Sequence, residues 1–418
     1  MGLLVPGKHV GIETIKTSEA TEGDELKALT WHGKRDVRVD NVPDPAIQEP
    51  TDAVVRVTTT AICGSDLHLY EVLTPFMEEG DILGHEPMGI VEEVGPEVTN
   101  LSPGDRIVIP FQVSCGDCFM CDRGLQTQCE TTQVRDQNMG AALFGYTKLY
   151  GELAGGQAEY LRVPQAHYTH IKVPEGPPDE RFVYLSDVLP TSWQAVAYAD
   201  IPEGGSVTVL GLGPIGDMSS RIAKHLGFRV IAVDLVPERI ERARRNGIEV
   251  LDLGEHDDVA EEIREMTDGR GTDSVIDAVG MEAHGSPGAG LAQQMTTFMP
   301  DAVSEKMMEK AGADRLNAFY LAIDAVCRGG TISLIGVYGG MADPLPMLTL
   351  FDKQIKLTMG QANVKRWVED IMPLLTGEGD PLGVEGFHTH QLPLDEGPHG
   401  YEIFQKKQDN AVKVLLRP

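Results

Sequence analysis

The sequence predicts an α/β protein in which a β-rich part precedes a doubly wound parallel sheet, and two observations support this. From Leu26 to about Pro190, segments rich in β-branched residues are separated by Pro, Gly and Asp turns. From Ile201, strand-like runs such as SVTVLGLG and RVIAVD alternate with helix-like runs such as VPERIERARRNG. That alternation is typical of a parallel sheet covered by helices. The 418 residues suffice for two or three domains.

The individual elements follow in chain order from local composition. In the β-rich part, β-branched residues between turns predict strands at 53–60, 89–94 and 106–110. In the alternating part, later strands are expected at 274–278, 331–336 and 355–359, a helix at 364–375 and then a closing β-rich segment. The Gly-, Pro- and Met-rich residues 281–318 interrupt the rhythm, and we interpret them as an insertion with a short helix, either functional or merely decorative.

Charge and hydropathy exclude two classes of partner. The chain carries 64 acidic and 35 basic residues, a formal net charge of −29. Such a surface repels phosphate backbones, so we expect no nucleic-acid partner. No long apolar run is present, and the N-terminal residues lack the basic and apolar parts of a secretory signal. We therefore expect no membrane span and a cytoplasmic, reducing location.

Four cysteines fall close together in the run CGDCFMCDRGLQTQC, at Cys115, Cys118, Cys121 and Cys129. This spacing lets four thiolates surround one tetrahedral Zn²⁺, and a site closed by four protein ligands is structural rather than catalytic. Disulfides are the alternative interpretation. The spacing favours zinc.

A glycine-rich turn predicts a dinucleotide site. Gly211, Gly213 and Gly216 form G-x-G-x-x-G between the strand SVTVL and a helix, which is the context that pyrophosphate binding requires. Asp234 ends the next strand, where a carboxylate accepts hydrogen bonds from the adenosine ribose. This predicts a Rossmann unit and favours NAD, although the nearby Arg239 keeps NADP possible.

Two short segments, CGSDLH and GHE, gain meaning when they are considered together with the four-cysteine loop and the glycine-rich turn. Cys63 begins CGSDLH and His85 lies in GHE; either residue alone would be an ordinary core residue. The order CGSDLH, GHE, four-cysteine loop and G-x-G-x-x-G resembles that of the zinc-dependent medium-chain alcohol dehydrogenases, from about Leu26 to the end of the chain. The resemblance implies a GroES-like β-rich catalytic domain joined to a Rossmann domain. The expected divisions are an arm at 1–25, the catalytic domain at 26–190, the NAD-binding domain at 191–359 and a return to the catalytic domain at 360–418.

The resemblance also implies a third ligand to a catalytic zinc. Many family members use a cysteine just before the Rossmann domain, but here the matching segment reads LSDVLPT and offers Asp187. The segment is similar to that of the glutathione-independent formaldehyde dehydrogenase branch. Cys63, His85 and Asp187 are then the expected ligands, with a fourth position left open, as catalysis requires. The alternative is that Asp187 only caps a helix.

The same resemblance suggests roles for four neighbouring residues. Ser65 and His68 would pass the substrate proton to the surface, although a turn-forming hydroxyl and a solvated histidine are the plainer interpretations. Glu86 would tune the metal or bind it transiently. Phe111 would line the substrate pocket, or else be an ordinary core aromatic.

These expectations together predict an oxidoreductase with NAD and two Zn²⁺ per chain. Its substrate would be a primary alcohol or hydrated aldehyde, with a formaldehyde dehydrogenase-like activity preferred. The alternatives are a polyol, threonine or sugar dehydrogenase, or a non-catalytic nucleotide-binding scaffold. The resemblance further implies a homotetramer or homodimer formed through Rossmann sheet edges, and an insertion that retains the cofactor. His388 and His390 could share one face of a strand and bind metal, but an ordinary exposed strand is favoured.

Overall fold

The computed structural model describes residues 25–280, 316–338 and 344–418. The predicted arm at 1–25, apart from Glu25, and the predicted insertion at 281–318, apart from its last three residues, lie outside the described residues. The expected mixed α/β class is confirmed. None of the helices in the described ranges is long and apolar enough to cross a membrane.

The strands form a hairpin and two larger sheets. In chain order they are β1 (Glu25–Gly33), β2 (Asp36–Pro43), β3 (Ala53–Ile62), β4 (Glu86–Val94), β5 (Arg106–Val108), β6 (Tyr160–Val163), β7 (Ile171–Lys172), β8 (Ser206–Leu210), β9 (Arg229–Asp234), β10 (Glu249–Asp252), β11 (Thr272–Asp277), β12 (Val326–Leu334), β13 (Lys356–Met359), β14 (His390–Pro393) and β15 (Val414–Arg417). The first large sheet has the order β14-β15-β3-β4-β5-β7, with β6 also paired to β3. Because β14 and β15 belong to it, the chain returns to the first sheet after completing the second.

The second sheet is parallel throughout, with the order β10-β9-β8-β11-β12-β13. Its strands alternate with helices because each crossover between parallel strands needs a long connection. The helices are α1 (Gly64–Glu71), α2 (Val188–Tyr198), α3 (Pro214–His225), α4 (Pro237–Arg245), α5 (Val259–Glu265), α6 (Asn317–Ala325), α7 (Met347–Lys353), α8 (Val364–Thr376) and α9 (Gly397–Gln405). The closing segment therefore contains the helix α9 as well as the expected strands.

The apolar core continues from one sheet to the other. One buried cluster includes Met88 and Val108 of the first sheet together with Val207 and Ile276 of the second. Helix α2 bridges the two regions, and the Ser192 hydroxyl within it donates a hydrogen bond of 3.1 Å to the carbonyl of Ile215 in α3. The start of α2 is thus held in a fixed place beside the glycine-rich turn that begins α3.

Candidate metal centres and cofactor site

A buried cluster of metal-binding side chains lies where the first sheet meets α2. The ligand atoms of Cys63, His85, Glu86 and Asp187 all lie within 4.8 Å of one another. The Asp187 Oδ2 is 3.4 Å from the Cys63 Sγ and 3.5 Å from the His85 Nε2. A thiol, an imidazole and carboxylates at this spacing form a donor set that suits Zn²⁺.

The electrostatics of this cluster favour a cation. Burial, reinforced by the charge of Asp187, raises the pKa of the Cys63 thiol to about 12. A thiolate at this position therefore needs a positive charge beside it, and a metal ion supplies one. The buried donors fit a zinc ion.

Local sequence explains how each of these side chains reaches the cluster. Cys63 precedes the first turn of α1, directly after β3, and His85 directly precedes β4. Gly84 has φ +97°, and a Cβ there would lie 2.3 Å from the Cγ of Gln157. A larger residue than glycine would therefore displace the chain that carries His85.

Asp187 lies between a 3₁₀ turn at Val183–Ser186 and helix α2. A helix-capping side chain accepts a hydrogen bond from a backbone N–H of the first helical turn. The Asp187 side chain makes no such bond to α2. It instead accepts a hydrogen bond of 2.5 Å from the hydroxyl of Thr191 and faces Cys63 and His85. The carboxylate is therefore aimed into the cluster.

The residues expected to act around the metal have different surroundings. The Ser65 Oγ lies 3.2 Å from the His85 Nε2, so the structure brings Ser65 to the cluster. His68 lies one turn further along α1 and is half-buried. The buried Phe111 ring meets the His85 ring edge-on, with centroids 6.3 Å apart. Phe111 therefore lies in the core and against the cluster, and its role in a substrate pocket stays a prediction.

Two buried partners of the cluster were missed by the sequence analysis. The Lys413 Nζ lies 2.6 Å from the Glu86 Oε1 and 2.5 Å from its Oε2, and both side chains are fully buried. The Asp66 Oδ1 lies 3.0 Å from the His85 Nδ1. A lysine inside the apolar run AVKVLL was a usable signal for Lys413, because an unpaired lysine is rarely buried.

The four cysteines of the second candidate centre come together as their spacing predicts. The ligand sulfurs of Cys115, Cys118, Cys121 and Cys129 lie within 4.8 Å of one another, and all four are free thiols. The Cys129 Sγ is 3.6 Å from that of Cys115 and 3.9 Å from that of Cys118. This donor set fits one tetrahedral Zn²⁺ and excludes the disulfide alternative in this structure.

Two further histidines, His388 and His390, were candidate metal ligands. The His388 Nδ1 is 3.4 Å from the Tyr184 hydroxyl, and His390 begins β14. Neither histidine belongs to a group of three or more metal-binding side chains among the residues that the structure describes.

The glycine-rich turn has the backbone geometry that a bound pyrophosphate requires. Gly211 has φ +83°, Gly213 directly precedes α3, and a Cβ on Gly216 would lie 1.8 Å from the Gly211 carbonyl oxygen. The free N–H groups at the start of α3 suit an anion. Gly211 is required for its left-handed backbone and Gly216 for close packing of helix α3 against the turn. Gly213 leaves the backbone open to a bound pyrophosphate.

The acidic residue beyond this turn is held in place by backbone donors. Asp234 ends β9, and its Oδ2 accepts a hydrogen bond of 2.5 Å from the N–H of Leu212. Its Oδ1 accepts from the N–H groups of Leu235 and Val236. A Cβ on Gly213 would lie 3.8 Å from an Arg239 guanidinium nitrogen, so both predicted cofactor residues flank the turn.

Comparisons with known proteins agree with this geometry. Residues 49–175 match the alcohol dehydrogenase GroES-like domain, and residues 214–287 match the zinc-binding dehydrogenase family. A zinc-type alcohol dehydrogenase-like protein of Bacillus subtilis is 41% identical over 94% of this chain and 100% of its own. A glutathione-independent formaldehyde dehydrogenase of Pseudomonas aeruginosa is 30% identical over 90% of this chain and 94% of its own.

The fold is shared with solved structures as well. An alcohol dehydrogenase from Thermus sp. ATN1 has a TM-score of 0.76 and 33% identity, covering 94% of this chain and 99% of its own. The expected combination of a GroES-like domain and a Rossmann sheet is thereby confirmed. This chain belongs to the zinc-dependent medium-chain alcohol dehydrogenase superfamily.

Proposed function

We propose that this protein is a zinc-dependent dehydrogenase that transfers hydride from a primary alcohol or hydrated aldehyde to NAD, with formaldehyde as the preferred aldehyde. The observation that carries the proposal is the buried cluster of Cys63, His85 and Asp187 at the start of a helix that is bonded to the glycine-rich turn. A metal centre and a dinucleotide site this close together suit hydride transfer. A non-catalytic scaffold has no use for the cluster.

Cys63, His85 and Asp187 hold the catalytic zinc in this proposal, and the four-cysteine loop holds a structural zinc. The zinc would supply a Lewis acid for the substrate oxygen, and NAD would supply the hydride acceptor. Glu86 is the fourth member of the buried cluster, and Lys413 neutralises its charge. Glu86 would then tune the metal or bind it transiently, and Lys413 would balance its charge when it is not bound.

A buried site needs a route for the proton that the substrate hydroxyl loses. The Ser65 Oγ lies beside His85 and is half-buried, so its hydroxyl would accept the proton at the cluster while it gives up its own hydrogen. His68, half-buried on the same helix, would take up the hydrogen that Ser65 gives up and pass it towards solvent. The separation of three residues on α1 supports this relay, since i and i+3 lie on one face of a helix.

The cofactor preference follows from Asp234. Three backbone N–H groups hold its carboxylate at the end of β9. In that place the carboxylate would accept hydrogen bonds from the ribose hydroxyls of NAD and would repel the 2′-phosphate of NADP. Arg239, beside the turn, neutralises part of the pyrophosphate charge. We expect NADH to bind more tightly than NADPH, and Asp234→Ala to reduce that difference; equal affinities in the wild type would refute the preference.

Two aromatic side chains favour a small substrate. The rings of Phe111 and Tyr146 each meet the His85 ring edge-on, with centroids 6.3 Å away. In this proposal the two rings also narrow the approach to the cluster, which would suit a one-carbon substrate better than a polyol. The formaldehyde dehydrogenase of Pseudomonas aeruginosa, 30% identical to this chain, adds support.

The test is the initial rate of NADH formation with formaldehyde in the absence of glutathione, beside a panel of short alcohols and polyols. We expect turnover of formaldehyde that Asp187→Ala abolishes, while Asp268→Ala, at an exposed position, leaves the rate unchanged. Turnover confined to polyols or longer alcohols would reject the substrate but keep the dehydrogenase. An inactive protein that binds zinc and NAD would reject the catalytic proposal.

We also propose a homodimer or homotetramer that covers the β13 edge. In the described residues β13 is the outermost strand on that side of the parallel sheet. The adjoining helix α7 exposes Leu348 by 79% and Phe351 by 81%, and Met359 of β13 is 59% exposed. An unpaired strand beside such an apolar surface suits another copy of the chain. Light scattering should give a multimer that Phe351→Asp dissociates, and a monomeric wild type would reject the proposal.

A further inference from the structure

We propose that Gln157 and Tyr401 are positioning residues that fix the His85 imidazole for metal binding through the Asp66 carboxylate. The inference rests on the proposed catalytic zinc and adds two residues that do not touch it. Gln157 follows the glycine pair at 155–156, and Tyr401 comes from α9 near the end of the chain. Gln157, Tyr401 and Asp66 are fully buried.

The amide of Gln157 has one orientation that satisfies its surroundings. Its Nε2 donates hydrogen bonds of 3.1 Å to the carbonyl of Ala61 and 3.2 Å to the Asp66 Oδ2. Its Oε1 accepts a hydrogen bond of 2.8 Å from the Tyr401 hydroxyl. A reversed amide would place its oxygen against two other oxygens, so the Tyr401 hydroxyl selects the orientation in which the amide donates to Asp66.

The Asp66 carboxylate then transmits this orientation to the imidazole. Its Oδ2 accepts from the Gln157 amide and, at 2.9 Å, from the Cys63 N–H. Its Oδ1 lies 3.0 Å from the His85 Nδ1, so the negative charge of the carboxylate favours a hydrogen on that nitrogen. With the hydrogen favoured on Nδ1, the His85 Nε2, 3.5 Å from the Asp187 carboxylate, is the nitrogen that can present its lone pair to a metal.

Packing prevents this chain of contacts from relaxing. The Gln157 Cγ occupies the space that a side chain on Gly84 would fill, and the Gln157 N–H donates to the Leu83 carbonyl at 2.9 Å. Gln157 therefore rests on the two residues that precede His85. The Tyr401 ring lies against Tyr70, with centroids 5.5 Å apart, which holds the hydroxyl in place.

The test measures zinc affinity in the full-length, zinc-loaded protein by competition with a chelator. We expect Tyr401→Phe to weaken zinc binding at the Cys63 site by about tenfold or more, as loss of a group supporting a ligand does. Zinc held by the four cysteines should be unaffected and serves as an internal reference. Gln157→Glu should weaken the same site, because it sets a second carboxylate against Asp66.

Tyr70→Phe is the matched control, since it removes a hydroxyl from the neighbouring ring and not from the hydrogen-bonded chain. A purely structural role would lower the melting temperature of Tyr401→Phe and leave both zinc affinities intact. Unchanged zinc affinity, within twofold, in either folded variant overturns the inference. A wild type that holds zinc only at the four cysteines would instead reject the proposed function.

Discussion

The Lys413–Glu86 pair allows a quantitative test of how the metal centre is built. Both side chains are fully buried, with the Lys413 Nζ 2.5–2.6 Å from the two carboxylate oxygens. Unit charges about 3 Å apart attract by about 5–6 kcal/mol at an effective dielectric constant of about 20. Desolvation of the two ions costs about as much, so the intact pair contributes little net stability. Removing one partner is strongly destabilising, because it leaves the other charge buried without compensation.

We therefore expect Lys413→Met to lower the free energy of unfolding by about 3–5 kcal/mol. The double variant Lys413→Met/Glu86→Gln should recover at least half of that loss, because the buried charge is gone. Urea denaturation of the zinc-loaded proteins measures both values. Lys356→Met is the control: it breaks an exposed pair with Asp200, and should cost about 1 kcal/mol at most. A loss below about 1 kcal/mol for Lys413→Met, or a double variant no more stable than the single one, would refute the reasoning.

Three further predictions concern other parts of the molecule. Gly216→Ala should abolish NADH binding measured by fluorescence, because the new Cβ would lie 1.8 Å from the Gly211 carbonyl oxygen; retained binding would contradict this packing. Cys129→Ser should reduce the zinc content measured by elemental analysis from two ions per chain to one, and two retained ions would exclude the cysteine as a ligand. Burial, with a contribution from Lys365, lowers the pKa of His170 to about 4. Between pH 6.5 and 4 the unfolded chain binds a proton that the folded protein does not, so the free energy of unfolding should fall as the pH drops through this range. The loss at pH 5 should be about 2 kcal/mol, and His170→Asn should abolish it. Urea denaturation at pH 7 and pH 5 measures the loss, and the same loss in the variant as in the wild type would contradict this prediction.

The fold and the local motifs were predictable because their signals are local in sequence. The glycine-rich turn needs Gly211, Gly213 and Gly216 at fixed spacing between a strand and a helix, and the structure has them there. The four-cysteine loop is equally compact. In each case one short segment contains all the residues that the geometry requires.

Helix α9 could not be predicted from the same kind of evidence. Its sequence, GPHGYEIFQ, contains two glycines and a proline, which are poor helix formers. Tertiary contact overrides propensity here: a Cβ on Gly397 would lie 2.2 Å from Leu29, and one on Gly400 would lie 3.0 Å from Ile62. The glycines allow α9 to pack closely on the hairpin strand β1 and on β3 of the first large sheet, and the pattern that would reveal this is spread over the whole chain.

The partners of the metal ligands were hidden for a related reason. Tyr401 and Lys413 reach Gln157 and Glu86 from the last strand–helix unit of the chain, after the whole parallel sheet has intervened. Contacts between residues so far apart in sequence form only after the intervening chain is ordered, because loop closure must precede them. The imidazole of His85 therefore gains its fixed orientation, and Glu86 its counter-ion, only once the C-terminal return has docked. A complete metal centre is in this sense a product of the finished fold, so selective loss of zinc from the Cys63 site should be an early consequence of loosening the C-terminal segment.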